Sequence, residues 1–254
     1  MKEPSAPKNL QLNVAEGIHR IEDAHTNWYL VEDGPRLTIV DTGLSRSWGS
    51  LHDALRALGR RFFEIEAVVV THAHVDHMGF ARRAQKEFGI PLWVHRAEAD
   101  AVRHPLRYDH ERARIPYLRH RSAVRVLTEM TMMGALWVMG TVPDSTLEAG
   151  DELDLPGRPR VAFTPGHTHG HCSLYYPDRG AVIVGDAFVM LEPYTGRHGP
   201  CLVARAATAD SHQALSSLDT LAALDADVAL TGHGPAWRGS LREAAERARA
   251  AGLS

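Results

Sequence analysis

Four side chains able to bind a cation fall within residues 72–77: His72, His74, Asp76 and His77, in the stretch Thr71-His72-Ala73-His74-Val75-Asp76-His77. Neutral imidazole and carboxylate are good ligands for zinc and related divalent ions. His72 and His74 are two apart, so an extended segment points them the same way. Asp76 and His77 come after the chain turns, so the two pairs face neighbouring points in space. That layout suits two metal ions about 3.5–4 Å apart, as two-metal hydrolases use. Three more segments place the same residue types directly after short apolar runs. His167 lies in Thr164-Pro165-Gly166-His167 after Val161-Ala162-Phe163, Asp186 follows Val182-Ile183-Val184-Gly185, and His233 follows Val228-Ala229-Leu230-Thr231-Gly232. Glycines beside these residues let backbone approach a site closely. Four such loops in one chain point to a metal centre. His169 and His171 read as hydrogen-bonded support for a ligand. His104, His110, His120 and His198 carry no spacing argument and read as surface or loop residues, with the pocket mouth as the alternative for His198.

The elements that must carry these loops are legible in outline. Leu10, Leu12 and Val14 alternate with polar residues, Trp28-Tyr29-Leu30-Val31 is rich in strand formers, and Asp33-Gly34 signals a turn before Leu37-Thr38-Ile39-Val40. Leu51, Ala54, Leu55 and Leu58 predict an amphipathic helix over 47–59, with Gly59 as its stop. Val68-Val69-Val70 is a short buried strand, followed by a predicted helix over 77–88 and a strand over 91–94. Residues 97–140 mix apolar and basic residues at helical spacing and are read as a helical insertion. Its methionines, Met130, Met132, Met133 and Met139, either line an adaptable pocket or pack the insertion itself. Strands return over 160–164, 173–176 and 181–184. A helix marked by Leu215, Leu218, Leu221 and Leu224, the strand Val228-Ala229-Leu230 and a terminal helix over 239–251 complete the chain. Strands and helices interleave in both halves, which predicts an α/β fold of two sheets covered by helices.

Composition narrows the function. The chain has 254 residues, 44% hydrophobic and 23% charged, and a net charge of −3. That leaves no electrostatic footprint for nucleic acid or an anionic membrane. Cys172 and Cys201 are the only cysteines and read as reduced thiols of a cytoplasmic protein. The opening MKEPSAPKNLQLN lacks the apolar run of a secretory signal, and no stretch approaches the roughly 20 apolar residues of a membrane span. The 16 histidines lie inside the chain rather than in a terminal tag.

His72-Ala73-His74-Val75-Asp76-His77 resembles the HxHxDH signature of the metallo-β-lactamase superfamily. His167, Asp186 and His233 match that superfamily's later metal motifs in order and approximate spacing, and Asp41-Thr42-Gly43 resembles its early aspartate loop, which supports the metal loop. The resemblance covers roughly residues 15–236, with 97–140 less typical. It implies a four-layer αββα sandwich, one domain over residues 1–254, with the site at one edge between the sheets. It also implies roles: His72, His74 and His167 for a first metal, Asp76, His77 and His233 for a second, and Asp186 bridging them. Two divalent ions are implied, zinc first, with iron or manganese as alternatives. A bridging hydroxide would attack a carbonyl or phosphoryl centre while Asp76 accepts a proton.

Superfamily resemblance does not fix a substrate. An aspartate at the bridging position resembles glyoxalase II and the lactonases rather than the β-lactamases. Only 21 residues follow His233, too few for the glutathione-binding helical region of glyoxalase II. Val189 stands where quorum-quenching lactonases have a tyrosine, and Tyr194 is the candidate substitute. The resulting expectation is a cytoplasmic, metal-dependent hydrolase of a small-molecule ester, lactone or thioester, without nucleic-acid or membrane partners. Tyr117, Leu118 and Trp137 in the insertion suggest a partly apolar substrate; the same segment could instead form a homodimer contact. Two alternatives stay open. One is a persulfide dioxygenase-like oxidoreductase holding one iron on His72, His167 and Asp186, against which the full seven-ligand set argues. The other is a β-lactamase-type amide hydrolase.

Overall fold

The computed structural model describes residues 7–254, so the first six residues of the opening segment lie outside the description. The first sheet has seven strands whose spatial order is their chain order: β1 (Leu10–Ala15), β2 (Ile18–Asp23), β3 (Thr26–Asp33), β4 (Arg36–Val40), β5 (Ile65–Val70), β6 (Leu92–His95) and β7 (Ser145–Leu147). β1 to β4 form an antiparallel meander, and β4 to β7 pair in parallel. The second sheet contains β8 (Arg160–Phe163), β9 (Cys172–Tyr176), β10 (Ala181–Gly185), β13 (Val228–Thr231) and β14 (Trp237–Arg238), in the order β14-β13-β10-β9-β8. A separate ribbon pairs β11 (Val189–Leu191) with β12 (His198–Cys201). The helices are α1 (Ser47–Leu58), α2 (Ala81–Phe88), α3 (Arg121–Met132), α4 (Ser211–Ala222) and α5 (Leu241–Ala251).

Period-two alternation builds the layers. On the first sheet, Leu30, Ile39, Val68 and Val70 face outward, where Trp48, Leu51, Leu55, Ala81 and Ala84 of α1 and α2 cover them. Their neighbours Tyr29, Val31, Val40 and Val69 face inward and pack on Val161, Leu174, Ile183 and Leu230 of the second sheet. The outer face of that sheet, with Val182, Val184 and Ala229, is covered by Leu218 and Leu221 of α4 and Ala244, Ala245 and Ala248 of α5. The result is the expected αββα sandwich. Pairing direction then brings the loops together. β4 and β5 are parallel, with Val40 opposite Val69, so the Asp41 and His72 segments leave at the same end. β10 and β13 are also parallel, with Ile183 opposite Leu230, and β8 runs the same way because β9 is antiparallel to both β8 and β10.

Two expectations need correction. The helix expected over 77–88 begins only at Ala81. His77 and Met78 instead lie in a tight turn, both donating N–H to the His74 carbonyl at 3.0 Å. Gly79 then presses on the first loop so closely that a Cβ there would sit 2.2 Å from the Leu44 carbonyl carbon. The stretch 97–140 is not helical throughout. It holds one α-helix, α3, and short 3-10 turns at Ala101–Arg103, Ile115–Arg119 and Ala135–Trp137. Pro105, Pro116 and Gly134 interrupt the pattern that the apolar spacing suggested. Among the described residues, no helix is long and apolar enough to cross a membrane.

Candidate metal centre

The four strand ends deliver their side chains to one buried point between the sheets. His72 and His77 are fully buried, and His74, Asp76, His167, Asp186 and His233 are each no more than 7% exposed. Three overlapping groups could hold a metal ion: His72 with His74 and His167, His72 with His77 and Asp186, and Asp76 with His77 and His233. Within each group, one donor atom per residue lies within 4.8 Å of the others. Asp186 sits between the first and third groups: its Oδ2 is 3.5 Å from His167 Nε2 and 3.3 Å from His233 Nε2. Asp76 Oδ2 is 3.4 Å from His233 Nε2 and 3.6 Å from His77 Nε2. All seven residues singled out in the sequence therefore meet.

Four of the five rings are held from behind. The Asp41 carboxylate accepts from His77 Nδ1 at 2.8 Å and from the Thr71 N–H at 2.8 Å. The Thr71 hydroxyl donates to Asp41, which leaves it an acceptor for His72 Nδ1 at 3.0 Å. His233 Nδ1 donates to the His25 carbonyl at 2.7 Å. The Thr208 hydroxyl donates to the Val203 carbonyl and faces His167 Nδ1 at 3.4 Å. With the protons placed on Nδ1, the Nε2 lone pairs point inward. The Nε2 atoms of His72, His74, His77 and His167 and Oδ1 of Asp186 are buried without a hydrogen-bond partner. Such atoms are rare in proteins, and an N/O donor set of this kind fits a divalent cation.

Burial lowers the pKa of His72 and His167, holds His74 near about 4, and keeps these rings neutral and able to bind. His77 and His233 behave differently. Burial opposes their charge, but Asp76, Asp41 and Asp186 push His77 up to about 10, and Asp186 with Asp76 pushes His233 up to about 9. Without a metal, these two rings carry protons that balance the carboxylates.

His171 supports rather than joins the cluster. Its Nε2 accepts the Asp186 backbone N–H at 3.0 Å, and its Nδ1 meets the Thr164 hydroxyl at 2.9 Å. His169 does not share that role: it is exposed and pairs with the exposed Asp109 at 3.1 Å. Gly232 is needed beside Asp186, since a Cβ there would lie 2.0 Å from Asp186 Oδ1. Cys172 is fully buried and packs in the core between the sheets, and burial pushes its thiol pKa up.

His74, Asp76, His167, Asp186 and His233 of the cluster line a cleft of about 170 Å³. Tyr194 lines it, whereas His198, Tyr117, Leu118 and Trp137 do not. Of the four methionines of the insertion, Met130 alone reaches the cleft. Several contributors escaped the sequence reading. Tyr108 packs on His74 with ring centroids 4.1 Å apart, and Arg114 lies beside it on the cleft wall. Buried Glu98 accepts the Ala73 N–H and the Gly170 N–H, each at 2.8 Å, and so ties the two metal-facing loops together. No spacing marks these three. The threonines did leave a signal, because Thr71, Thr164 and Thr231 each stand at the strand exit ahead of a candidate ligand.

Two outcomes follow from this geometry. In the metal-free chain, protonated His77 and His233 add stability that is full below their unfolded value of about 6.5. It is lost as pH rises through about 9 and 10. Calorimetry of metal-free protein across that range should show a falling Tm, and the fall should be smaller in His77→Ala. Glu98→Ala leaves two buried N–H groups unpaired and should destabilise the fold by about 2–4 kcal/mol, read by urea denaturation. A loss below about 0.5 kcal/mol would show that Glu98 does not tie the loops.

Comparison with known proteins agrees with this geometry. Residues 21–233 match the family model of the metallo-beta-lactamase superfamily. The probable metallo-hydrolase YflN of Bacillus subtilis is 25% identical over 241 residues, covering 87% of this chain and 84% of that protein. A hydroxyacylglutathione hydrolase of Synechococcus is 31% identical over 139 residues, covering 52% of this chain and 40% of that protein. Among solved structures, the metallo-beta-lactamase family protein TTHA1429 of Thermus thermophilus superposes with a TM-score of 0.63 at 28% identity, covering 87% of this chain and 72% of that one. This chain belongs to the metallo-β-lactamase superfamily and is a metal-dependent hydrolase.

Proposed function

We propose that this protein is a two-metal hydrolase cleaving a small-molecule ester, lactone or thioester. The observation that carries the reading is the convergence of five buried, unpartnered ligand atoms, on His72, His74, His77, His167 and Asp186. Two of the metal-capable groups, His72/His74/His167 and Asp76/His77/His233, share no residue. That division supports two ions with Asp186 between them, and argues against a single iron on His72, His167 and Asp186. An all-N/O donor set without thiolate suits zinc, and iron or manganese next.

Bound metals supply Lewis acidity and a nucleophile drawn from water near neutral pH. The chain's own residues do the rest. Asp76 Oδ2 accepts from the Thr26 hydroxyl at 3.1 Å, and Asp76 also lines the cleft. It is placed to orient a solvent molecule and take its proton. Asp41 and the His25 carbonyl fix the rings of His77 and His233, so the ligand geometry need not reorganise during the reaction. Support for a thioester comes from the relative named for hydrolysis of hydroxyacylglutathione.

The test combines metal analysis with turnover assays on one sample. Zinc-reconstituted protein should hold two ions per chain and hydrolyse members of a panel of aryl esters, lactones and thioesters. His167→Ala and Asp186→Ala should each lose metal affinity by roughly 100-fold or more and activity with it, with circular dichroism unchanged. One iron per chain with oxygen uptake, turnover confined to phosphodiesters or β-lactams, or full activity in either variant would overturn the reading.

A further inference from the structure

The cleft wall carries one guanidinium that no acid among the described residues pairs with in a salt bridge. Among the described residues, Arg114 is the only arginine or lysine on the cleft wall. Its guanidinium lies over the Tyr108 ring, 4.5 Å from the centroid, and Tyr108 in turn packs on His74. One side chain, Tyr108, thus stands between the charge and the metal-facing cluster. Its Nε is buried and has no hydrogen-bond partner. The contrast with Arg205 of the same region is direct, since Arg205 is paired with Glu111. A guanidinium stacked on an aromatic ring keeps its planar edge free for two parallel bonds to a carboxylate. Much of the remaining cleft wall is apolar: Leu106, Val126, Leu127, Met130 and Leu136 line it. A lone guanidinium beside such a wall matches a single negative charge on an otherwise apolar molecule, rather than a multiply charged phosphate, for which several donors usually converge.

We propose that Arg114 recognises a substrate carboxylate, so that the substrate is an ester or thioester carrying a carboxylate a few bonds from the scissile carbonyl and an apolar chain. The inference rests on the hydrolase reading for the reaction, but the binding of the carboxylate stands apart from it. The Arg114 edge fixes the anionic end, the apolar wall takes the chain, and the carbonyl between them is held over His74, Asp76 and Asp186. Arg114 acts here as a specificity determinant, not as a participant in bond cleavage.

The test uses two octanoyl thioesters, one of 3-mercaptopropionate and one of its neutral amide, and the inert thioether 3-(octylthio)propanoate as a binding probe. Zinc-loaded wild type should favour the anionic thioester in kcat/KM by about 10- to 100-fold. In Arg114→Met that ratio should collapse towards one, and Arg114→Lys should fall between, because an ammonium keeps the charge without the fork. Calorimetric titration of the inert thioether, into zinc-loaded and metal-free protein, should show the same ranking of affinities. If neither thioester turns over, the hydrolase reading fails for this substrate class while the titration still decides the role of Arg114. Equal thioether affinity in wild type and Arg114→Met, with the variant folded by circular dichroism, would overturn the proposal, as would equal wild-type rates for the two thioesters.

Discussion

Four imidazoles are fixed at Nδ1 by groups that belong to the folded framework, and this forces their Nε2 lone pairs towards a space already occupied by two carboxylates. The holders are Asp41, Thr71, the His25 carbonyl and Thr208. An unpaired buried polar atom costs about 1–3 kcal/mol, so a constellation of them is tolerated only where something repays it. A divalent cation held there would do so, with the imidazole lone pairs as its ligands and Asp76 and Asp186 balancing its charge. In its absence, protons on His77 and His233 are the substitute, which is why these two rings are basic while His72, His74 and His167 are not.

The centre lies across a seam. His72, His74, Asp76 and His77 follow a strand of the first sheet, whereas His167, Asp186 and His233 follow strands of the second. Their spacing is therefore only as precise as the packing of one sheet on the other. The seam is closed by apolar side chains and then pinned by polar contacts next to the site. The Tyr29 hydroxyl donates to the Thr231 carbonyl at 2.7 Å, and the Asn27 amide reaches both Thr231 and Gly234. The Cys172 N–H donates to the Thr71 carbonyl at 3.0 Å. These bonds hold the His233 and His72 loops in one frame. Pre-positioning of this kind is what lets ligand geometry survive the reaction without reorganisation.

Much of this was legible in the sequence, for identifiable reasons. Short runs of three consecutive buried β-branched residues mark β5 and β10, and the brief apolar run Val228-Ala229-Leu230 marks β13, because such short apolar runs bounded by polar residues suit a buried strand better than a helix. The candidate ligands follow those runs directly, so pattern and chemistry coincide. Gly59 ends α1 in a left-handed conformation, as expected. The segment between β6 and β7 was not legible. Its apolar residues recur at helical spacing, yet Val124, Leu118, Leu106 and Leu136 are all exposed, the last two on the cleft wall. Proline and glycine cut the pattern into 3-10 turns whose side-chain directions follow no fixed period. Glu98, Tyr108 and Arg114 act through contacts with residues distant in sequence, and spacing carries no trace of such contacts. The His25 carbonyl is invisible for a simpler reason: any residue could supply it.

The claim on which the account depends is that both sheets contribute ligands to one pair of ions. Anomalous diffraction at the zinc edge, from crystals of zinc-loaded protein, measures this directly. Two peaks about 3.5–4 Å apart are expected, one within bonding distance of His72, His74 and His167, the other of Asp76, His77 and His233, with Asp186 reaching both. A single peak, or zinc bound only by residues of one sheet, would contradict it.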